Sequence, residues 1–103
     1  MSKNHKPYYA VIFTSTQKEN IDGYYEMSNK MEQIAKLQPG YLGMESARNE
    51  VGITVSYWES LEDIKHWKLQ TEHLKAQQKG RKDWYDWYHV RICKVEHEYK
   101  FHS

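Results

Sequence analysis

The chain holds one cysteine, two prolines, five glycines and two phenylalanines. No apolar run approaches the roughly 18 residues of a membrane span, so a membrane is not expected as a partner. A lone Cys93 excludes an internal disulfide and a tetrathiolate zinc site, and a reduced, cytoplasmic setting is the simplest reading. Excess charge of either sign is also missing. Lys+Arg 15 against Asp+Glu 14 leaves a net charge of +1, and such a balance creates no field that draws the chain to nucleic acid. The opening stretch MSKNHKPYYAVIF is basic, but its short apolar run has no small-residue cleavage site, so a signal peptide is not expected. Internal repeats and low-complexity tracts are absent too.

What the sequence does have is 103 residues, enough for one domain, and an aromatic content of 15% carried by nine Tyr and four Trp. Tyr and Trp combine an apolar body with a polar tip, which suits interfaces and pocket linings. Mean hydropathy is −1.00. Tyr, Trp, Lys and Gln account for much of that low value, and large rings can still build a core.

Residues 1–7 end at Pro7 and are expected to form a flexible arm before a single domain over 8–99 and a tail over 100–103. Tyr8 to Thr16 is aromatic and β-branched and predicts a strand. A polar connection follows in which Asn20 or Asp22 can cap a helix. Tyr24, Met27, Met31, Ile34 and Leu37 recur at spacings of three and four, predicting an amphipathic helix that Pro39-Gly40 stops. Tyr41 to Arg48 alternates, with Tyr41, Gly43, Glu45 and Ala47 on one face and Leu42, Met44 and Ser46 on the other. Across the turn at Asn49-Glu50, Val51 to Trp58 completes a hairpin. Ser60 and Asp63 form a carboxylate variant of the capping box ahead of a helix with Leu61, Ile64, Trp67 and Leu74 on its apolar stripe. A break is expected near Gln70-Thr71, where the period is lost, with closure at Gly80. Trp84 to Tyr99 predicts a last strand, with Tyr88, Val90 and Ile92 on one face and Trp87, Cys93 and Val95 on the other. A strand apolar on both faces needs a cover on each, one from its own helices and one from elsewhere.

This order is the βαββαβ, ferredoxin-like α+β plan, an antiparallel four-stranded sheet with both helices on one face. The other face is bare, and a homodimer that pairs two such faces into an α+β barrel would cover it.

The segments YAVIF, QPGYLGMES, SYWESLEDIKHW and TEHLKAQQKGRKDWYDWYHVRICKVE resemble the antibiotic biosynthesis monooxygenase family. The markers are Pro39 to Gly43 and the pattern Trp58, Ser60, Trp67. The resemblance implies a dimeric α+β barrel and a monooxygenase, either cofactor-independent and acting on a small phenol- or quinol-like molecule, or heme-degrading. In the heme-degrading branch a Trp on the second helix works with a His ten residues on and an Asn on the first strand. Trp67 matches, but Gln77 stands at the His position and the first strand contains no Asn, so heme is disfavoured as a cofactor.

A cofactor-free reaction with triplet oxygen needs a dry cavity, a proton acceptor and donors for an oxyanion. Candidate catalytic residues are Trp67 as a pocket wall and His73 or His66 as proton acceptor. Tyr57 or Tyr85 would orient the substrate, with Gln77 and Arg81 as further binding groups. Each also has a plain structural role: Trp67 as core, His66 as a solvated contact of Glu62, Arg81 in a solvated turn with Lys79 and Lys82, and Cys93 as a buried inert thiol. His66 and His73 lie two turns apart, but no HExxH pattern or third ligand accompanies them and no metal is expected. A non-catalytic dimeric module that binds small ligands is the rival reading.

Overall fold

The structure, a computed structural model, describes residues 6–77 and 84–103, the side chains of 74–77 excepted. Its elements are β1 (Tyr8–Gln17), α1 (Tyr24–Ala35), β2 (Tyr41–Arg48), β3 (Gly52–Trp58), α2 (Leu61–Gln77) and β4 (Tyr85–Val95). The four strands form one antiparallel sheet in the order β2-β3-β1-β4, which is the ferredoxin-like arrangement expected from the hydrophobic pattern.

The register assigns each side chain to a face. Tyr9 lies opposite Trp58, Val11 opposite Ser56 and Ile92, Phe13 opposite Thr54 and Val90, and Ser15 opposite Gly52 and Tyr88. Trp58 stacks on Trp67 of α2 and Tyr85 packs against Tyr24 of α1, so these odd-numbered positions of β1 face the helices. The even positions Tyr8, Ala10, Ile12 and Thr14 share the helix-free face with Tyr57, Val55, Ile53, Cys93, Arg91 and His89. Fully buried Ala35 and Trp58 make the core with Ile64, and Tyr9, Val11, Tyr41, Met44 and Trp67 pack around them.

Local chemistry explains the boundaries. The Asp63 N–H donates to Ser60 Oγ at 3.1 Å, and the Ser60 hydroxyl donates to Asp63 Oδ2 at 2.8 Å, the expected cap of α2. Gly40, at φ 81°, sits so near this cap that a side chain there would collide with the Asp63 carboxylate.

Several expectations are corrected. Neither Asn20 nor Asp22 caps α1. The cap position is Gly23, at φ 81°, and Asn20 instead accepts from the Asp22 N–H in the preceding turn. Helix α1 ends at Ala35. Leu37 lies beyond it, 83% exposed, while Ala35 takes the buried place. A register shift between Tyr41 and Gly43 brings Tyr41 opposite Trp58, onto the same side as Met44, so the simple alternation fails at its first residue. Helix α2 runs without a break through Gln70-Thr71, because residues 61–77 contain neither Gly nor Pro and loss of an apolar period does not remove helix propensity. Gly80, the expected stop, lies outside the described residues.

β4 ends at Val95 rather than Tyr99, since Val95 pairs with Tyr8 and β1 offers no residue beyond it. Cys93 is exposed on the helix-free face, not buried. Tyr88, Val90 and Ile92 also remain exposed although they face the helix side. Helix α2 packs on β3, two strands away from β4.

Candidate functional site

The helix side of the sheet has two aromatic ends. At the first, Trp58 and Trp67 stack with ring centroids 5.8 Å apart, and Tyr41 meets Trp58 edge-on at 5.6 Å. The Trp58 Nε1–H donates to Ser56 Oγ at 2.9 Å, so the one polar atom of the buried indole is satisfied. Trp67 is half-buried, while His66 beside it is exposed and Glu62 turns to Lys65 at 3.9 Å.

The second end gathers around Tyr85, which pairs with Gln17, eight residues along β1 from the Tyr9–Trp58 pair and therefore roughly 26 Å away. Phe13 stacks on Tyr88 at 5.3 Å and meets Tyr85 edge-on at 5.5 Å. Tyr24, the first residue of α1, reaches down to Tyr85 at 5.9 Å and to Trp84 at 5.5 Å. Burial pushes the Tyr85 hydroxyl well above the usual phenol range. The neighbouring Tyr24 hydroxyl, hydrogen-bonded to it, adds to the shift, and the Arg48 charge partly opposes it. Tyr85 consequently stays protonated across the working pH range and acts as a hydrogen-bond donor or acceptor, not as a base.

Arg48 completes this end. Its Nη2 donates to the fully buried Ser15 Oγ at 2.6 Å and its Nη1 to the Ser15 carbonyl at 3.4 Å. Gln17, also on the helix side, has a buried Nε2 with no hydrogen-bond partner among the described residues. Such an orphaned donor costs about 1–3 kcal/mol. Gln17 also borders an open cavity of about 600 Å³ between the β1–α1 connection and Trp84, lined in addition by Lys18, Asp22 and Asp86.

Of the residues singled out from sequence, Trp67, His73 and Tyr85 share the helix side through α2 and β4. His73 is exposed on α2, six residues or roughly 9 Å beyond Trp67. Tyr57 is not with them: it stands on the opposite face, next to Tyr8, and donates to Glu45 Oε1 at 2.7 Å. Helix α2 extends to Gln77, but that side chain and the whole of Arg81 lie outside what the structure describes. Among the described residues no group of three or more His, Cys, Asp or Glu could hold a metal ion. Reasoning from sequence missed Ser15, Gln17 and Arg48. The alternation that places Met44 and Ser46 on one face places Arg48 there as well, and that signal was sufficient to find it.

The Tyr57–Glu45 bond has a consequence for pH. The hydrogen bond to Glu45, with partial burial and the carboxylate charge, pushes the Tyr57 hydroxyl from 10.0 up to about 12. Because the folded value is the higher one, the stabilisation is complete below pH 10 and disappears as pH rises through about 12. Urea midpoints measured across that window should fall less steeply for Tyr57→Phe than for the parent chain. Equal slopes would mean that the bond contributes nothing.

No family model matches the chain. It is 50% identical over 97 residues to the uncharacterized protein YqjZ of Bacillus subtilis, covering 92% of this chain and 85% of that one. Its structure is similar to that of a mutant of SnoaB, a cofactor-independent oxygenase from Streptomyces nogalater. The TM-score is 0.73 and the identity 8%, with 91% of this chain and 97% of that chain covered. A Bacillus cereus protein provisionally assigned as an antibiotic biosynthesis monooxygenase superposes with a TM-score of 0.62 at 20% identity, over 93% and 98% of the two chains. Similarity at these identities establishes a common fold, and the fold alone does not specify a reaction.

Proposed function

Given that the chain belongs to the family of YqjZ and has the fold of the antibiotic biosynthesis monooxygenases, we propose that it is a monooxygenase oxidising a small phenol- or quinol-like compound without a bound cofactor. The observation that carries this reading is the aromatic end on the helix side, where the rings of Phe13, Tyr24, Tyr85 and Tyr88 pack in a chain of contacts and the Tyr24 and Tyr85 hydroxyls meet. Flat rings favour an aromatic guest, and a phenol held protonated orients it without competing for its proton.

The chemistry requires the substrate to supply all the electrons. In turning a phenol into a quinone, one oxygen atom of O2 ends on the ring carbon and the other leaves as water. The substrate provides four electrons and both hydrogens of that water, so no external reductant is consumed. Loss of the phenol proton makes the first electron transfer to triplet oxygen accessible. His73, further along α2 than Trp67, is the acceptor in this proposal and Tyr85 orients the ring. Trp67 and its neighbour His66 stand at the Trp58 end, roughly 26 Å away along β1, and are not assigned to this small-molecule site. Gln77 and Arg81 remain candidate binding groups. Tyr57, on the far face, is assigned to the subunit contact instead.

That contact is the second part of the proposal. Ile53, Trp87 and Cys93 are exposed on the helix-free face, and a homodimer closed through that face would bury them. No helix among the described residues is long and apolar enough to cross a membrane, and the cover proposed for this face is a second copy of the chain.

Oxygen uptake tests the reaction directly. Purified protein, free of added metal or flavin, should consume one O2 per molecule of phenol or hydroquinone oxidised, without releasing peroxide. No uptake above the protein-free rate across a panel of phenols and quinols would remove the oxygenase reading. Heme loss on incubation with hemin and a reductant would replace it with heme degradation.

A further inference from the structure

Arg48 ends β2 on the helix side of the sheet, and three features hold its guanidinium in place. Two of its N–H groups are taken by Ser15 Oγ and the Ser15 carbonyl. It also lies flat across Gly52, where any side chain would collide with it. A guanidinium has five donors, so N–H groups remain after Ser15 is served. The ion pairs among the described residues, Lys36–Glu32 and Lys65–Glu62, are on helix surfaces, and none involves Arg48. The cation is therefore positioned by the fold but not neutralised by a carboxylate of the described chain.

We propose that Arg48 binds the oxyanion of a phenolate whose ring lies along the Phe13–Tyr88 stack. The register supports this placement. Ser15, which carries Arg48, is directly opposite Tyr88 and two residues from Phe13 on the same side of β1. Two residues further along that side stands Gln17, whose buried Nε2 has no acceptor among the described residues. The site thus pairs a charged donor with a neutral donor that no described residue uses, beside an aromatic wall. A neutral arene leaves both donors idle, and a small inorganic anion leaves the rings idle. An aromatic anion uses both. Burial of Tyr85 keeps its hydroxyl protonated at the same end, so it adds a donor rather than a competing charge. The inference deepens the reading above, because the phenolate is the form of the substrate that reacts with oxygen.

The test is anaerobic binding, so that it does not depend on turnover. The probe is para-nitrophenol, which ionises near neutral pH to a coloured anion, with its methyl ether para-nitroanisole as the neutral analogue. The parent chain should bind the anion about tenfold more tightly than the ether, and the bound phenol should ionise about one pH unit lower than the free one. Arg48→Gln should abolish that preference and Arg48→Lys should keep part of it. Circular dichroism establishes that each variant is folded. Gln17→Ala leaves the Arg48–Ser15 bonds intact and should weaken anion binding severalfold, so the site can be judged even where Arg48→Gln does not fold.

Equal affinity for anion and ether, or a preference that survives in folded Arg48→Gln, overturns the proposal. Tighter binding of para-nitrobenzoate than of the phenolate overturns the choice of ligand. An Arg48-dependent anion preference in a protein that takes up no oxygen would uphold this site while removing the oxygenase reading. Oxygen uptake that Arg48→Gln leaves unchanged would do the reverse.

Discussion

Trp58→Ala is expected to destabilise the domain by about 3–5 kcal/mol, the usual cost of removing a large buried aromatic. Trp58 is 0% exposed and is the largest side chain in the core. It stacks on Trp67, meets Tyr41 edge-on and satisfies Ser56, itself buried, through its indole N–H. Alanine leaves a void between α2 and β3 and strips Ser56 of its partner, and the cavity and the orphaned hydroxyl add to the lost transfer energy. Domains of this size have total stabilities of about 5–15 kcal/mol, so the variant should lose from about a fifth of the margin to all of it. Urea unfolding followed by circular dichroism should show a lower midpoint at unchanged slope. Trp58→Phe separates the contributions, since it retains a ring against Trp67 but loses the N–H. A loss below about 1 kcal/mol for the alanine variant would contradict the packing described here.

Trp87→Glu should weaken self-association by about 30- to 1000-fold, which is the span of about 2–4 kcal/mol for an aromatic anchor at an interface. Trp87 lies opposite Thr16 on the helix-free face, 47% exposed in the single subunit, and far from the Trp58 core. A charge there would be desolvated in a dimer closed through this face and remains hydrated in a monomer. The folded subunit should therefore tolerate the change while the dimer does not. Unchanged association would place the contact elsewhere. Unfolding of the subunit itself would mean that Trp87 is needed within one chain.

Much of the fold was legible because burial imposes periods. The strand at Tyr8, the helix at Tyr24, the hairpin and the cap at Ser60-Asp63 all follow from alternation, spacing or local hydrogen bonding, which neighbouring residues alone determine. Three of the differences share one cause. Whether Leu37 is covered, whether Tyr41 shifts face at a bulge, and where β4 runs out of partners at Tyr8 are decided by residues distant in sequence. The continuity of α2 was misread for a different reason, an apolar period taken as evidence of helix where the absence of Gly and Pro was the better guide.

The candidate site was less legible. His, Trp and Tyr attract notice as reactive types, but Tyr57 and Trp67 turn out to lie on opposite faces of the sheet. Arg48, Ser15 and Gln17 carry no motif. They form a unit only because antiparallel pairing sets Ser15 and Arg48 against the same Gly52, with Gln17 one step along the same side. Residue type names the chemistry available, and strand register decides which groups can share a ligand.

The central claim is a division of labour between the two faces of one sheet, with the helix-free side meeting a second copy of the chain and the helix side holding an aromatic substrate. Sedimentation equilibrium of the unmodified protein at micromolar concentration tests it most directly. A folded species of twice the 12.5 kDa subunit mass is expected. A folded species of single subunit mass, stable on dilution and on concentration, would contradict it.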